Sequence, residues 1–116
     1  MQKQQKKDYT KCPVEATLGL IQGKWKIVIL FRLMDEPRRF NELTRLLPNI
    51  TQRMLTNQLR DLEKDGLVHR ECYAQVPPKV EYSTTELADS LMPVLLSIRD
   101  WGKAHMLTLD SNTGSE

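Results

Sequence analysis

The sequence predicts a mainly α-helical domain with a small β wing, paired into a dimer through its N- and C-terminal helices. Three observations carry that prediction. The stretch Thr51 to Leu67, TQRMLTNQLRDLEKDGL, reads as an amphipathic helix with both ends marked and an acid-free polar side. A shorter amphipathic stretch precedes it across a brief turn, and two β-like runs follow it directly. Finally, the C-terminal helix carries more apolar surface than a domain of this size covers with its own core. Two helices joined by a short turn and followed by a hairpin make a winged helix-turn-helix, the unit that sets its second helix in the major groove of DNA.

At 116 residues the chain is read as one domain, long enough to bury a core. We place that domain at 12–109, after a flexible basic arm at 1–11 and before a disordered polar tail at 110–116. In the arm Lys3, Lys6, Lys7 and Lys11 stand against Asp8 alone, so it is expected to be a solvated segment. Pro13 opens the first helix, since proline suits the first helical position, and Val14, Thr17, Leu18 and Ile21 recur on one face. Trp25 to Met34, WKIVILFRLM, is apolar nearly all round and describes a central buried helix with Trp25 as a core anchor. Asp35-Glu36-Pro37 breaks the chain. Arg38 and Arg39 follow, and Phe40 to Leu47 forms a short helix with Phe40, Leu43, Leu46 and Leu47 inward.

The turn Pro48-Asn49-Ile50 leads to Thr51, whose hydroxyl can cap the next helix, while Gly66 supplies the left-handed residue that ends it. Met54, Leu55, Leu59 and Leu62 are expected to face the core. The other side offers Gln52, Arg53, Thr56, Asn57 and Arg60, which together with Thr51 are hydrogen-bonding and cationic types suited to base edges and phosphates. Leu67–Tyr73 and Val80–Ser83 form the hairpin, stiffened at its tip by Pro77-Pro78. Gln75, Lys79 and Arg70 on the wing, with Arg38 and Arg39 before the short helix, are the expected supporting contacts to the sugar-phosphate backbone. Thr84-Thr85-Glu86 caps the last helix, along which Leu87, Leu91, Val94, Leu95, Ile98, Trp101 and His105 repeat, with a kink expected at Pro93. An apolar helix left over at the edge of a small domain pairs with its own copy. The expected interface is Leu18 with Leu87, Leu91, Leu95, Ile98 and Trp101. A two-fold dimer would then present two recognition helices roughly 34–36 Å apart to a near-palindromic operator.

Composition sets the bounds. A net charge of +2 permits nucleic-acid binding without demanding it, so the case rests on where the charge sits. No apolar run is long enough for a membrane span, and neither secretion nor an anchor is expected; the expected location is the cytoplasm. His69 and His105 are isolated, no nucleophile is paired with a base, and no Gly-rich phosphate loop appears, so the chain is not read as an enzyme and no cofactor or metal is expected. The rival from another class is a winged-helix protein-protein interaction module that uses the same apolar stripe to join a larger assembly. Its discriminating feature is the lack of salt-dependent DNA affinity. A small-molecule-binding regulator would need a cavity between the long helix and the winged core.

The segments CPVEATLGLIQGKWK, RRFNEL, ITQRMLTNQLRDLEKDGLV, PPKVEYSTTEL and SLMPVL followed by WG resemble the HxlR-type winged helix-turn-helix regulators, relatives of the MarR regulators of bacteria. The resemblance runs from Cys12 to Gly102. It implies a cytoplasmic homodimeric transcription factor, repressor or activator, with its recognition helix at Gln52–Asp65 and its wing at Tyr73–Val80. The sequence departs from the family pattern at Gln22, at Asn49 in the turn, and at Thr85 and Ala88. Asparagine tolerates the left-handed conformation that a turn glycine supplies, so Asn49 is expected to keep the turn that way.

Some members of the family sense electrophiles or oxidants through a cysteine at the position of Cys12. The local chemistry suits that role, because a helix N-terminus and Lys11 both favour the reactive thiolate. The competing reading makes Cys12 only a small cap residue. Cys72, in an alternating strand, is expected to be buried as a small apolar side chain. A bridge between Cys12 and Cys72 of two subunits stays open, since it depends on distances.

Overall fold

The computed structural model describes residues 12–106. In chain order come α1 (Pro13–Ile21), α2 (Lys26–Asp35), β1 (Arg38–Arg39), α3 (Phe40–Leu46), α4 (Gln52–Lys64), β2 (Val68–Tyr73), β3 (Lys79–Thr84) and α5 (Glu86–His105). Five helices and a three-stranded antiparallel sheet ordered β1-β3-β2 give the winged helix-turn-helix predicted above. The arm at 1–11 and the tail at 110–116 lie outside the described residues.

The core forms where the helical stripes converge. Ile29, Leu30 and Leu33 of α2, Leu43 of α3, Leu55, Leu59 and Leu62 of α4, and Leu95 of α5 are all buried, together with Leu67 and Val68 at the root of the wing. Each such side chain contributes about 1.5–3 kcal/mol relative to leaving it in water. Trp25 and Phe40 pack against this cluster from its rim. Lys26 is 9% exposed. Its stem lies in the core and its ammonium reaches Asp61 of α4 at 3.7 Å, so α2 and α4 are joined by charge as well as by leucines. The hairpin pairs Val68 with Thr84, Arg70 with Tyr82, Glu71 with Glu81 and Cys72 with Val80. The two-residue β1 adds to its free edge, Arg38 opposite Tyr82 and Arg39 opposite Glu81.

Four expectations are corrected. Met54 does not face the core but is 41% exposed. At 100° per residue it lies well off the narrow arc shared by Leu55, Leu59 and Leu62. Asn49 is not left-handed, for among the described residues positive φ occurs at Gly23 and Gly66 and at no other residue type. The turn is closed instead by the Ile50 N–H on the Leu47 carbonyl at 3.2 Å, with Ile50 itself buried. Cys72 is exposed, because β2 leaves the core after Val68 and every later residue of that strand stands in solvent. Leu95 is fully buried inside its own protomer and is not available to a partner. Pro93 lies within α5, which runs without interruption from Glu86 to His105.

Candidate nucleic-acid interface

The interface is built around α4, whose ends are fixed by local chemistry. Thr51 caps the helix, its Oγ1 accepting from the Met54 N–H at 3.0 Å. At the other end Gly66 has φ of +81°, the Gly66 N–H donates to the Glu63 carbonyl at 3.0 Å, and the Leu67 N–H donates to the Leu62 carbonyl at 2.8 Å. This is a Schellman closure. It stops the helix and turns the chain directly into β2. With Leu55, Leu59 and Leu62 locked inward, the helical repeat presents Arg53, Thr56, Asn57 and Arg60 along the other side, with Gln52 beside them. Gln52, Arg53, Asn57 and Arg60 are exposed and Thr56 is half-buried. None of these five side chains makes a hydrogen bond or ion pair with another described residue. A cationic face without carboxylate partners keeps its donors available for phosphates and base edges.

The wing has two unlike faces. Arg70, Cys72, Val80 and Tyr82 alternate onto one, while His69, Glu71, Tyr73, Lys79, Glu81 and Ser83 alternate onto the other. The second face is internally neutralised. Lys79 Nζ lies 3.4 Å from Glu81 Oε2 and 5.1 Å over the Tyr73 ring, the Tyr73 hydroxyl donates to Glu81 Oε1 at 3.4 Å, and His69 Nε2 is 2.7 Å from Glu71 Oε1. Desolvation and the Glu81 carboxylate push the Tyr73 phenol up from its ordinary pKa. Lys79 therefore already has a carboxylate partner, whereas Gln75 stands exposed in the tip.

The first face looks toward the helices across two clefts. One, of about 340 Å³, separates α4 from the wing and is lined by Thr56, Arg60, Glu63, Arg70 and Tyr82. Tyr82, the cross-strand neighbour of Arg70, pushes the guanidinium pKa further up, with Glu63 adding a weaker attraction. The other, of about 470 Å³, lies between α3 and the wing tip and is lined by Arg39, Asn41, Arg45 and Pro78 among others. Arg39 starts α3, its N–H donating to Glu42 Oε1 at 2.8 Å, and leaves its guanidinium in solvent. Arg38 does not join this group. Its Nε donates to the Arg32 carbonyl at 3.1 Å and its other nitrogens pair with Glu36 and Asp35 at 3.1 and 3.8 Å, so it closes the C-terminus of α2. Asn41 and Arg45 were missed in the sequence. Their spacing of four on the polar side of a short helix was the available signal.

The apolar stripe is split between an exposed part and a buried part. Val14 and Leu18 on α1, and Leu87, Val94, Ile98 and Trp101 on α5, are exposed, with Leu91 half-buried between them. Trp101 and His105 stack at 4.3 Å between ring centroids, tilted by 16°, and His105 Nδ1 lies 2.9 Å from the Trp101 carbonyl. Cys12 is exposed at the N-cap of α1, and its thiol makes no capping hydrogen bond. Among the described residues no group of His, Cys, Asp and Glu is placed to hold a metal ion, and no helix is long and apolar enough to cross a membrane.

Comparison with known proteins identifies the family and the fold. Residues 20–110 match the family model described as HxlR-like helix-turn-helix. The HTH-type transcriptional regulator YdeP of Bacillus subtilis is 56% identical over 103 residues, which are 89% of this chain and 80% of that protein. Among solved structures, the redox regulator HypR in its reduced form superimposes with a TM-score of 0.81 at 54% identity, over 86% of this chain and 99% of that one. The reduced form of the transcriptional regulator YodB from B. subtilis gives 0.74 at 34% identity, over 82% and 94% of the two chains.

Proposed function

The chain belongs to the HxlR-like helix-turn-helix family of transcriptional regulators, and on that premise we propose that it binds operator DNA sequence-specifically as a homodimer. The observation that carries the proposal is the unpartnered polar face of α4, where Gln52, Arg53, Asn57 and Arg60 make no hydrogen bond or ion pair with a described carboxylate. In this reading α4 enters the major groove, with Thr51 and Thr56 at its edges. Arg39, Arg45, Arg70, Gln75 and Lys79 meet the flanking backbone, and Arg38 keeps its structural role. Two copies join through the exposed parts of α1 and α5, so the operator is near-palindromic.

The same reading extends to the signal. HypR is described as a redox regulator, and YodB has also been solved after treatment with diamide. In this chain Cys12 is the exposed thiol beside the proposed dimer face, one residue before α1. Its oxidation or alkylation would alter the start of α1 and respace the two recognition helices. The experiment is binding of the purified protein to its own upstream intergenic DNA against random DNA of equal length, over a salt series, with and without diamide, for wild type and Cys12→Ser. Specific, salt-sensitive binding that diamide abolishes in the wild type alone is the expected result. Binding indifferent to diamide reduces Cys12 to a cap. Absence of specific binding replaces the regulator with the protein-interaction module.

A further inference from the structure

We propose that Tyr82 is a positioning residue that aims Arg70 across the α4–wing cleft, so that Arg70 and Arg60 grip one backbone phosphate of the bound duplex between them. This rests on the DNA-binding reading above and deepens it by assigning a ligand to one cleft.

The argument starts from the register. Arg70 and Tyr82 are directly opposed on β2 and β3, on the strand face that looks toward α4. Arg60, on the exposed side of α4, lines the same cleft of about 340 Å³. Two guanidinium groups from separate elements facing one polar cleft repel each other unless an anion lies between them. A phosphate oxygen pair matches their planar forks. Glu63 also lines the cleft and is the competing anion. A loose Arg70 would fold onto that carboxylate and be neutralised. Tyr82, directly opposite Arg70 and lining the same cleft, has its hydroxyl placed to accept from the guanidinium, which would restrain the group and leave its remaining donors for a ligand. Tyr82 is itself half-buried and packed against the core cluster, so its hydroxyl is held by the fold rather than by solvent. A contact made to the backbone positions the protein without reading sequence, so the effect should be equal on operator and random DNA.

The test uses the full chain with Tyr82→Phe, Arg70→Ala and the double variant, measured by fluorescence anisotropy on upstream and random duplexes over a salt series. Tyr82→Phe keeps the packed ring, so the melting temperature should not move. Its DNA affinity should fall about 2- to 10-fold on both duplexes, the range expected for one hydrogen bond. In the Arg70→Ala background the same substitution should cost nothing further, because the group it aims is gone. A second variant, Glu63→Gln, removes the competing anion and should shrink the Tyr82→Phe loss. Unchanged affinity of Tyr82→Phe, or an equal loss with and without Arg70, overturns the proposal while leaving the regulator intact. Wild-type protein with no affinity for either duplex overturns both.

Discussion

Replacing Trp101 with alanine tests whether the outer side of α5 joins two copies of the chain, and the structure sets the size of the effect. Trp101 is 59% exposed in the protomer. A large aromatic side chain buries up to about 250 Å², which leaves roughly 150 Å² for a partner to cover. Two-fold symmetry counts that area twice, giving about 300 Å² per dimer. At about 25 cal/mol per Å², full coverage contributes about 7 kcal/mol and half coverage about 3–4 kcal/mol. Loss of the stack on His105 falls on the protomer instead and is about 0.5–1.5 kcal/mol. Half coverage alone predicts a dimer weakened roughly several-hundred-fold. Sedimentation velocity over a concentration series measures it directly. A dimer of Trp101→Ala as tight as that of the wild type, at unchanged melting temperature, would refute the placement of the interface.

Arg53→Ala and Asn57→Ala should relax sequence preference, by about 1–3 kcal/mol per lost base contact, in a binding screen against single-base variants of the upstream site. If both keep wild-type preference, α4 does not lie in the groove as placed. Lys79→Ala should weaken binding on all sequences alike, and because Glu81 already neutralises the ammonium, it should flatten the salt dependence by less than the roughly one unit of a free phosphate contact. Leu55→Ala, at a fully buried position beneath the polar face of α4, should cost about 2–5 kcal/mol in urea unfolding; a cost below about 1 kcal/mol would mean that α4 is not held by this core.

Where signals were local, the sequence was legible. Thr51 and Gly66 mark the ends of α4 by chemistry that acts within a few residues, and the structure bears both out. The hairpin was readable because alternating runs and the Pro77-Pro78 tip bracket it. What failed to show depends on neighbours distant in the chain. Arg38 and Arg39 become a strand because β3 offers them an edge, and Arg38 is diverted from the surface by the α2 carboxylates and the Arg32 carbonyl. Cys72 alternates like a core residue, yet the wing carries it beyond anything that would cover it. Leu95 shares a stripe with Ile98 and Trp101, and the side of that stripe buried in the protomer is set by how α5 crosses α2. Lys26 gave no hint of burial, since its partner Asp61 lies in a helix with other carboxylates nearby.

The turn at Gly66 and Leu67 is where α4 closes, and Thr85, at the N-cap of α5, is fastened to it by both ends. Its hydroxyl donates to the Gly66 carbonyl at 2.6 Å and its N–H donates to the Leu67 carbonyl at 3.3 Å, while its oxygen still accepts from the Ala88 N–H at 3.2 Å. One small knot thus ties the end of α4, the residue that leads into β2 and the start of α5. A tilt of α5 cannot be absorbed in a slack loop. In the proposed dimer such a tilt would carry helix and wing together like two blades on one pin, and a shift of the distance between subunits would become a change of bite on the duplex.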